Sequence, residues 1–143
     1  MTVQSETVTP PSSSSPSSSP KWMIWTGRII SALPVLLMVM GAVMAVMNPA
    51  MVKEGMAKHG YPESTSVPII VVEMICVILY VIPQTSVLGA ILLTGYLGGA
   101  TATHVRVSEP YIMPIVVGVF VWLGLFLRDA RLRALIPIRR SAT

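Results

Sequence analysis

Val67-Pro-Ile-Ile-Val-Val-Glu-Met-Ile-Cys-Val-Ile-Leu-Tyr-Val-Ile82 is a run of 16 residues in which Glu73 is the single charge. Proline bounds it on both sides. Pro68 suits a first helical turn, and Pro83 stops a helix. The run predicts a helix over about 67–82 that is apolar almost all round, which only a deeply buried or a lipid-embedded helix tolerates. A charge at the centre of a bilayer costs about 2.5–3.5 kcal/mol even on the mildest insertion scale, so it persists only with a partner, a water-filled cavity or a function. The orientation of Glu73 is therefore the functional question posed by this chain.

Working outward, only Pro83-Gln-Thr-Ser86 separates this run from the next, so the two form an antiparallel hairpin. The next helix is predicted over about 86–103 and is rich in Gly and Ala. Upstream, Ile29 to Met47 is free of charge, and a helix over about 25–47 satisfies the roughly 20 residues needed to cross the hydrocarbon. Asn48-Pro49 ends it. Downstream, a fourth helix over about 111–127 stops at Arg128-Asp129. The expectation is an all-α fold, a transmembrane four-helix bundle over residues 22–140.

Composition agrees with lipid as the solvent. The chain is 53% hydrophobic and only 11% charged, far below the roughly one quarter charged residues of soluble domains. Residues 1–21 contrast with the rest: the first 20 hold eight serines and four prolines, a composition that predicts a disordered tail. A signal peptide would carry its basic region and a short apolar core at the start, so the first apolar run is expected to stay as a transmembrane helix. Cys76 is the one cysteine, which excludes a disulfide framework, a Cys-x-x-Cys redox pair and a thiolate metal cluster. The net charge of +4 resides at the ends of apolar runs, where it orients helices rather than binding nucleic acid.

With both termini inside, Lys21, Arg28, Arg128, Arg131, Arg133, Arg139 and Arg140 face the cytoplasm and Lys53, Lys58 and Arg106 face outward. Seven basic residues against three favour cytoplasmic termini. Trp22, Trp25 and Trp122 then sit near the inner interface and Tyr111 near the outer one.

In this topology Glu73 lies about 9 Å below the outer end of the second helix, at 1.5 Å per residue. The third helix brings Tyr96, Thr101, Thr103, His104 and Arg106 to the same outer half, and these six residues form the candidate buried polar site. Glu73, Cys76 and Tyr80 share one helical face, expected to turn inward. Two readings stand side by side: an acid tuned by His104 or Arg106 that carries a proton or binds a small ligand, and a structural tie between helices. Gly95, Gly99 and Thr103 recur every four residues, a spacing that serves close packing within the bundle or between copies of the chain. Met40, Met44 and Met47 form a stripe read as core or lipid-facing rather than as a copper site. His104, as the only histidine near a membrane segment, is expected to hydrogen-bond at the interface rather than to ligate haem or metal.

The strings Gly60-Tyr-Pro62, Pro68, Glu73, Tyr80-Val-Ile-Pro83, Leu88 to Arg106 and Trp122-Leu-Gly-Leu-Phe-Leu-Arg-Asp129 resemble the DoxX-like family of small bacterial membrane proteins. The resemblance runs from about Trp25 to Arg140 and is most specific in Gly-Ala-Ile-Leu-Leu-Thr-Gly-Tyr-Leu-Gly-Gly-Ala followed by His104-Val-Arg106. It implies four transmembrane helices, a bacterial plasma membrane, and a name inherited from a subunit of a thiosulfate:quinone oxidoreductase. Relatives carry an acidic residue and a lysine toward the end of the first helix, where this chain has Gly41 and Ala45.

Three functions are compatible with these residues. The leading one is a non-enzymatic accessory or assembly subunit, with lipid, another membrane protein or a second copy as partners and no catalytic residue. The second is a redox component that holds a quinone-like molecule near Glu73, Tyr96 and His104, where quinone carbonyls would find donors. The third, a small proton-coupled transporter, lacks the internal repeat such proteins show. Beyond the quinone, the residues carry no haem, metal or nucleotide signature.

Overall fold

The computed structural model describes residues 20–135, and each long apolar run within them is a helix. Helix α1 spans Lys21–Met47, α2 Pro49–Lys58, α3 Ser66–Val81, α4 Ser86–Arg106, α5 Ile112–Arg128 and α6 Ala130–Leu135, with a single 3-10 turn, Glu63–Thr65, ahead of α3. Among the described residues there are no strands. The serine-rich segment 1–19 and the pair Arg139 and Arg140 lie outside the described residues.

Three helical segments are long and apolar enough to cross a membrane: Lys21–Met47, Glu63–Val81 and Ser86–Arg106. Ile112–Arg128 is equally apolar in character but shorter, with 17 residues. The predicted ends hold to within a few residues, because the same prolines and charges stop the helices. Helix α2 is the element the sequence reading lacked: Pro49 both ends α1 and, at the first position of α2, starts a new helix.

Helix α1 packs along α5, α5 along α4, α4 along α3, and α3 closes more lightly on α1. The interior is thin, formed by Met38, Cys76, Val77, Tyr80, Ala90, Leu93, Leu97, Val117, Val121 and Leu125. The exterior is the apolar part: Ile29, Leu36, Met40, Val46, Val67, Ile78 and Ile112 are each more than half exposed. A water-soluble protein does not present a continuous belt of this kind, whereas lipid as solvent makes it favourable. Met40, Met44 and Met47 belong to that belt.

The close approaches occur at three glycines. A Cβ on Gly27 would meet the backbone N of Arg128 at 2.8 Å, one on Gly124 would meet the backbone N of Ser31 at 2.8 Å, and one on Gly89 would strike the backbone of Tyr80. These contacts bring α1 against α5 and α3 against α4. Between them lies Tyr80, fully buried, its hydroxyl bonded to the carbonyl O of Val121 at 2.8 Å and to Ser31 Oγ at 2.9 Å. A phenol has one hydrogen and a carbonyl only accepts, so Ser31 supplies the second hydrogen. Arg128 Nη2 donates to the carbonyl O of Tyr80 at 2.9 Å and stacks over its ring, satisfying a carbonyl at the open end of α3. Arg133 does the same for α5, donating to the carbonyls of Phe126 and Leu127. Arg128 and Arg133, read as orientation signals, thus also close helix ends.

Candidate functional site

Two matched turns build the end of the molecule opposite the termini. After α2, the N–H of Tyr61 donates to Met56 O at 2.8 Å and that of Gly60 to Ala57 O at 3.1 Å, with Gly60 at φ +74°. After α4, the N–H of Glu109 donates to His104 O at 3.0 Å and that of Ser108 to Val105 O at 3.1 Å, with Ser108 at φ +57°. Both are left-handed helix ends in which paired bonds satisfy the last carbonyls. Glycine takes that conformation without strain, while serine at the equivalent position stores about 1–2 kcal/mol.

These turns converge four side chains. Glu109 Oε2 lies 2.9 Å from His59 Nε2 and 3.0 Å from His104 Nδ1, and Lys58 Nζ pairs with Glu109 Oε1. The two imidazoles meet edge to face, centroids 5.4 Å apart. Arg106 donates to the carbonyl O of His59 and lies over the Tyr61 ring. The Lys58 hydrogen bond, then that of His59, lowers the Glu109 carboxyl from 4.5 to about 2, and the same pairing raises Lys58.

From this cluster a groove of about 490 Å³ runs along α4, lined on one side by Gly95, Tyr96, Gly99, Thr103 and His104 and on the other by residues from α2 to Ile69. Thr103 Oγ1 donates to Gly99 O at 2.9 Å, which commits its hydrogen, so the Tyr61 hydroxyl donates to Thr103 across 3.1 Å. At the deep end Tyr96 Oη donates to Glu73 Oε2 at 2.9 Å, tying α4 to α3.

The structure redistributes the six residues grouped from the sequence. Tyr96, Thr103 and His104 line one groove, and Glu73 reaches it through Tyr96. Glu73 is bonded to neither His104 nor Arg106; His104 stands eight residues beyond Tyr96, about 12 Å along the helix, and its partner is Glu109. Thr101 points away, donating to Leu97 O and facing α5 beside Pro114, Gly118 and Trp122. A Cβ on Gly95 or Gly99 meets no atom of the chain within 4 Å, and both glycines border the groove. His104 is not a solitary histidine. His59, Glu109, Tyr61 and Lys58 were missed, because they meet only through the two chain reversals; the signals available were Gly60 after His59 and Pro110 after Glu109.

Long apolar helices with an apolar exterior and a few internally paired polar groups define a helical membrane protein. The family model described as DoxX-like family matches residues 29–124, and the chain belongs to that family. No curated protein and no solved structure matches it.

Proposed function

We propose that this chain crosses a bacterial plasma membrane as a four-helix bundle with cytoplasmic termini, and that it is a non-enzymatic accessory subunit holding a small lipophilic molecule of the quinone class. The observation that carries the reading is the groove along α4. Its volume, about 490 Å³, is that of a small-molecule site, and its wall is apolar with hydrogen-bonding groups confined to the two ends. Gly95 and Gly99 leave room for a flat ring against the helix backbone, Met56, Ile69 and Ala100 form the apolar wall, and a phenol stands at each end, Tyr96 beside Glu73 and Tyr61 beside His104, whose hydrogen, given to Glu73 or Thr103 in the empty groove, would turn to a carbonyl oxygen of the bound molecule. A structural tie alone would explain the Tyr96–Glu73 bond but not an open channel beside it.

The test is photolabelling of the detergent-solubilised full chain with a photoactivatable naphthoquinone, followed by mapping of the labelled peptides. Label is expected in the segments 56–69 and 95–104. Gly99→Leu fills the groove and is expected to abolish it, while Gly98→Leu, one position round the helix and also in open space, leaves it intact. Equal labelling of the two variants refutes the proposal.

A further inference from the structure

We propose that His59 Nε2, His104 Nδ1 and Glu109 Oε2 form a binding site for one divalent transition-metal ion of the zinc type. The site shares His104 with the groove but does not rest on the quinone reading, since its three donors at the mouth would hold the ion whether or not the groove is filled.

The first argument is the direction of a hydrogen bond. His59 Nδ1 lies 2.7 Å from the carbonyl O of Gly55, and a carbonyl only accepts, so that nitrogen carries the hydrogen. The Nε2 of the neutral ring is then a bare lone pair, pointed at a carboxylate oxygen that also only accepts, 2.9 Å away. Two acceptors at this separation require a positive charge between them, which either a proton on Nε2 or a metal ion supplies; a metal ion would serve the Nδ1 of His104, 3.0 Å from the same carboxylate oxygen, at the same time. A backbone carbonyl that fixes the ring tautomer is also the partner that metal-bound histidines use.

Spacing and chemistry agree. The three donor atoms lie within 4.8 Å of one another. Tetrahedral bonds of about 2.0–2.1 Å place ligand atoms roughly 3.3 Å apart, so the 2.9 and 3.0 Å carboxylate–imidazole separations would widen by a few tenths of an ångström, and the two imidazole nitrogens, no more than 4.8 Å apart, would settle to the same span about the ion. Lys58 occupies Glu109 Oε1 and so leaves Oε2 as a single, monodentate ligand. Two imidazoles and one carboxylate suit zinc and its first-row neighbours, whereas magnesium and calcium require sets built from oxygen. The side chains of His59, His104 and Glu109 are 21%, 33% and 20% exposed, enough burial to hold their rotamers and enough access for a fourth ligand from water or the groove. Ser108 supplies the strain often stored at ligand clamps: its left-handed backbone returns Glu109 to His104.

The full chain in detergent is stripped with a chelator and dialysed against zinc at pH 7.5, and bound metal is measured by elemental mass spectrometry. One zinc per chain is expected in the wild type and in Lys53→Ala, whose exposed pairing with Glu63 lies outside the cluster. His59→Ala, His104→Ala and Glu109→Gln are each expected to bind at least about tenfold more weakly with unchanged helicity. Because a variant can fail for structural reasons, Co²⁺ in the wild type gives a second readout: visible bands of a four-coordinate nitrogen and oxygen site, without the near-ultraviolet thiolate band that Cys76 would produce. No uptake, a thiolate band, or wild-type affinity in the folded variants overturns the proposal and leaves protons as the charges between these groups.

Discussion

Gly89 and Gly99 lie in the same helix, yet changing each to alanine is expected to move stability in opposite directions. At Gly89 the added Cβ would sit 2.5 Å from Tyr80 Cα and 2.7 Å from the Leu79 carbonyl carbon. All of these are backbone atoms, which no rotamer change moves aside. Overpacking against yielding side chains costs about 1–3 kcal/mol, and a backbone obstacle belongs at the upper limit, about 3 kcal/mol. Replacing glycine in a helix interior returns about 1 kcal/mol. The net loss for Gly89→Ala is therefore about 2 kcal/mol, roughly a 30-fold shift in the folding equilibrium. At Gly99 a Cβ meets nothing within 4 Å, so only the helix gain of up to about 1 kcal/mol remains. The two variants should differ by about 3 kcal/mol in reversible SDS unfolding from mixed micelles, followed by tryptophan fluorescence. If Gly89→Ala is as stable as wild type, the α3–α4 contact is misassigned. If Gly99→Ala loses more than about 1 kcal/mol, or loses a dimer, Gly99 is a packing point and the groove is not open.

Three further outcomes follow. Tyr80→Phe removes a buried hydroxyl shared with Ser31 and Val121; the Ser31 hydroxyl can turn to a carbonyl of its own helix, so the same unfolding assay should show a loss of about 1 kcal/mol, against about 3–5 for Tyr80→Ala. Ser108→Gly relieves the left-handed backbone at φ +57° and should raise stability by about 0.5–1 kcal/mol, after allowance for the freer unfolded chain; a loss would mean the turn is not strained. The Glu109 carboxyl falls from 4.5 to about 2 in the folded chain, so in chelator-treated protein its contribution is complete above pH 4.5 and is lost as pH drops toward 2. Hydrogen exchange of the α2 amides should accelerate across that window, and Lys58→Ala should narrow it.

The helices were legible because a membrane segment is a one-dimensional signal: length, absence of charge, and a proline or arginine at the end. Pro68, Pro83 and Arg128 place three helix ends to within a few residues. Helix α2 was not legible by that signal, since Lys53, Glu54 and Lys58 interrupt its apolar residues and none of its side chains is buried. The site was half legible. Tyr96 and His104 could be placed on α4 from spacing, but the partner of each depends on which residues the loops return. His59 and Glu109 are 50 positions apart and meet through two turns whose geometry is set by backbone hydrogen bonds. Gly95 and Gly99 make no close contact within the chain for a related reason. Small residues at helical spacing permit close approach, and whether a neighbouring helix uses the permission is decided elsewhere, here by Gly89, which draws α3 in at the opposite end of α4.

That closure has a consequence for Glu73. With Gly89 holding α3 and α4 together at the end near their connecting loop, the two helices share their buried contacts there, around Tyr80 and Ala90. Further along, α4 presents Gly95 and Gly99 where bulkier side chains would fill the gap, and the groove opens. Tyr96 sits at the boundary between the packed and the open stretch. A carboxylate on α3 at this level reaches a phenol across the gap but not the imidazole two turns beyond it. The chain therefore carries two separate polar centres along one groove: an acid–phenol pair at membrane depth and a histidine–carboxylate cluster at the mouth. A ligand lying along α4 would pass between them, so a change that fills the middle, such as Gly99→Leu, should abolish ligand binding in the groove while leaving zinc uptake at the mouth unchanged.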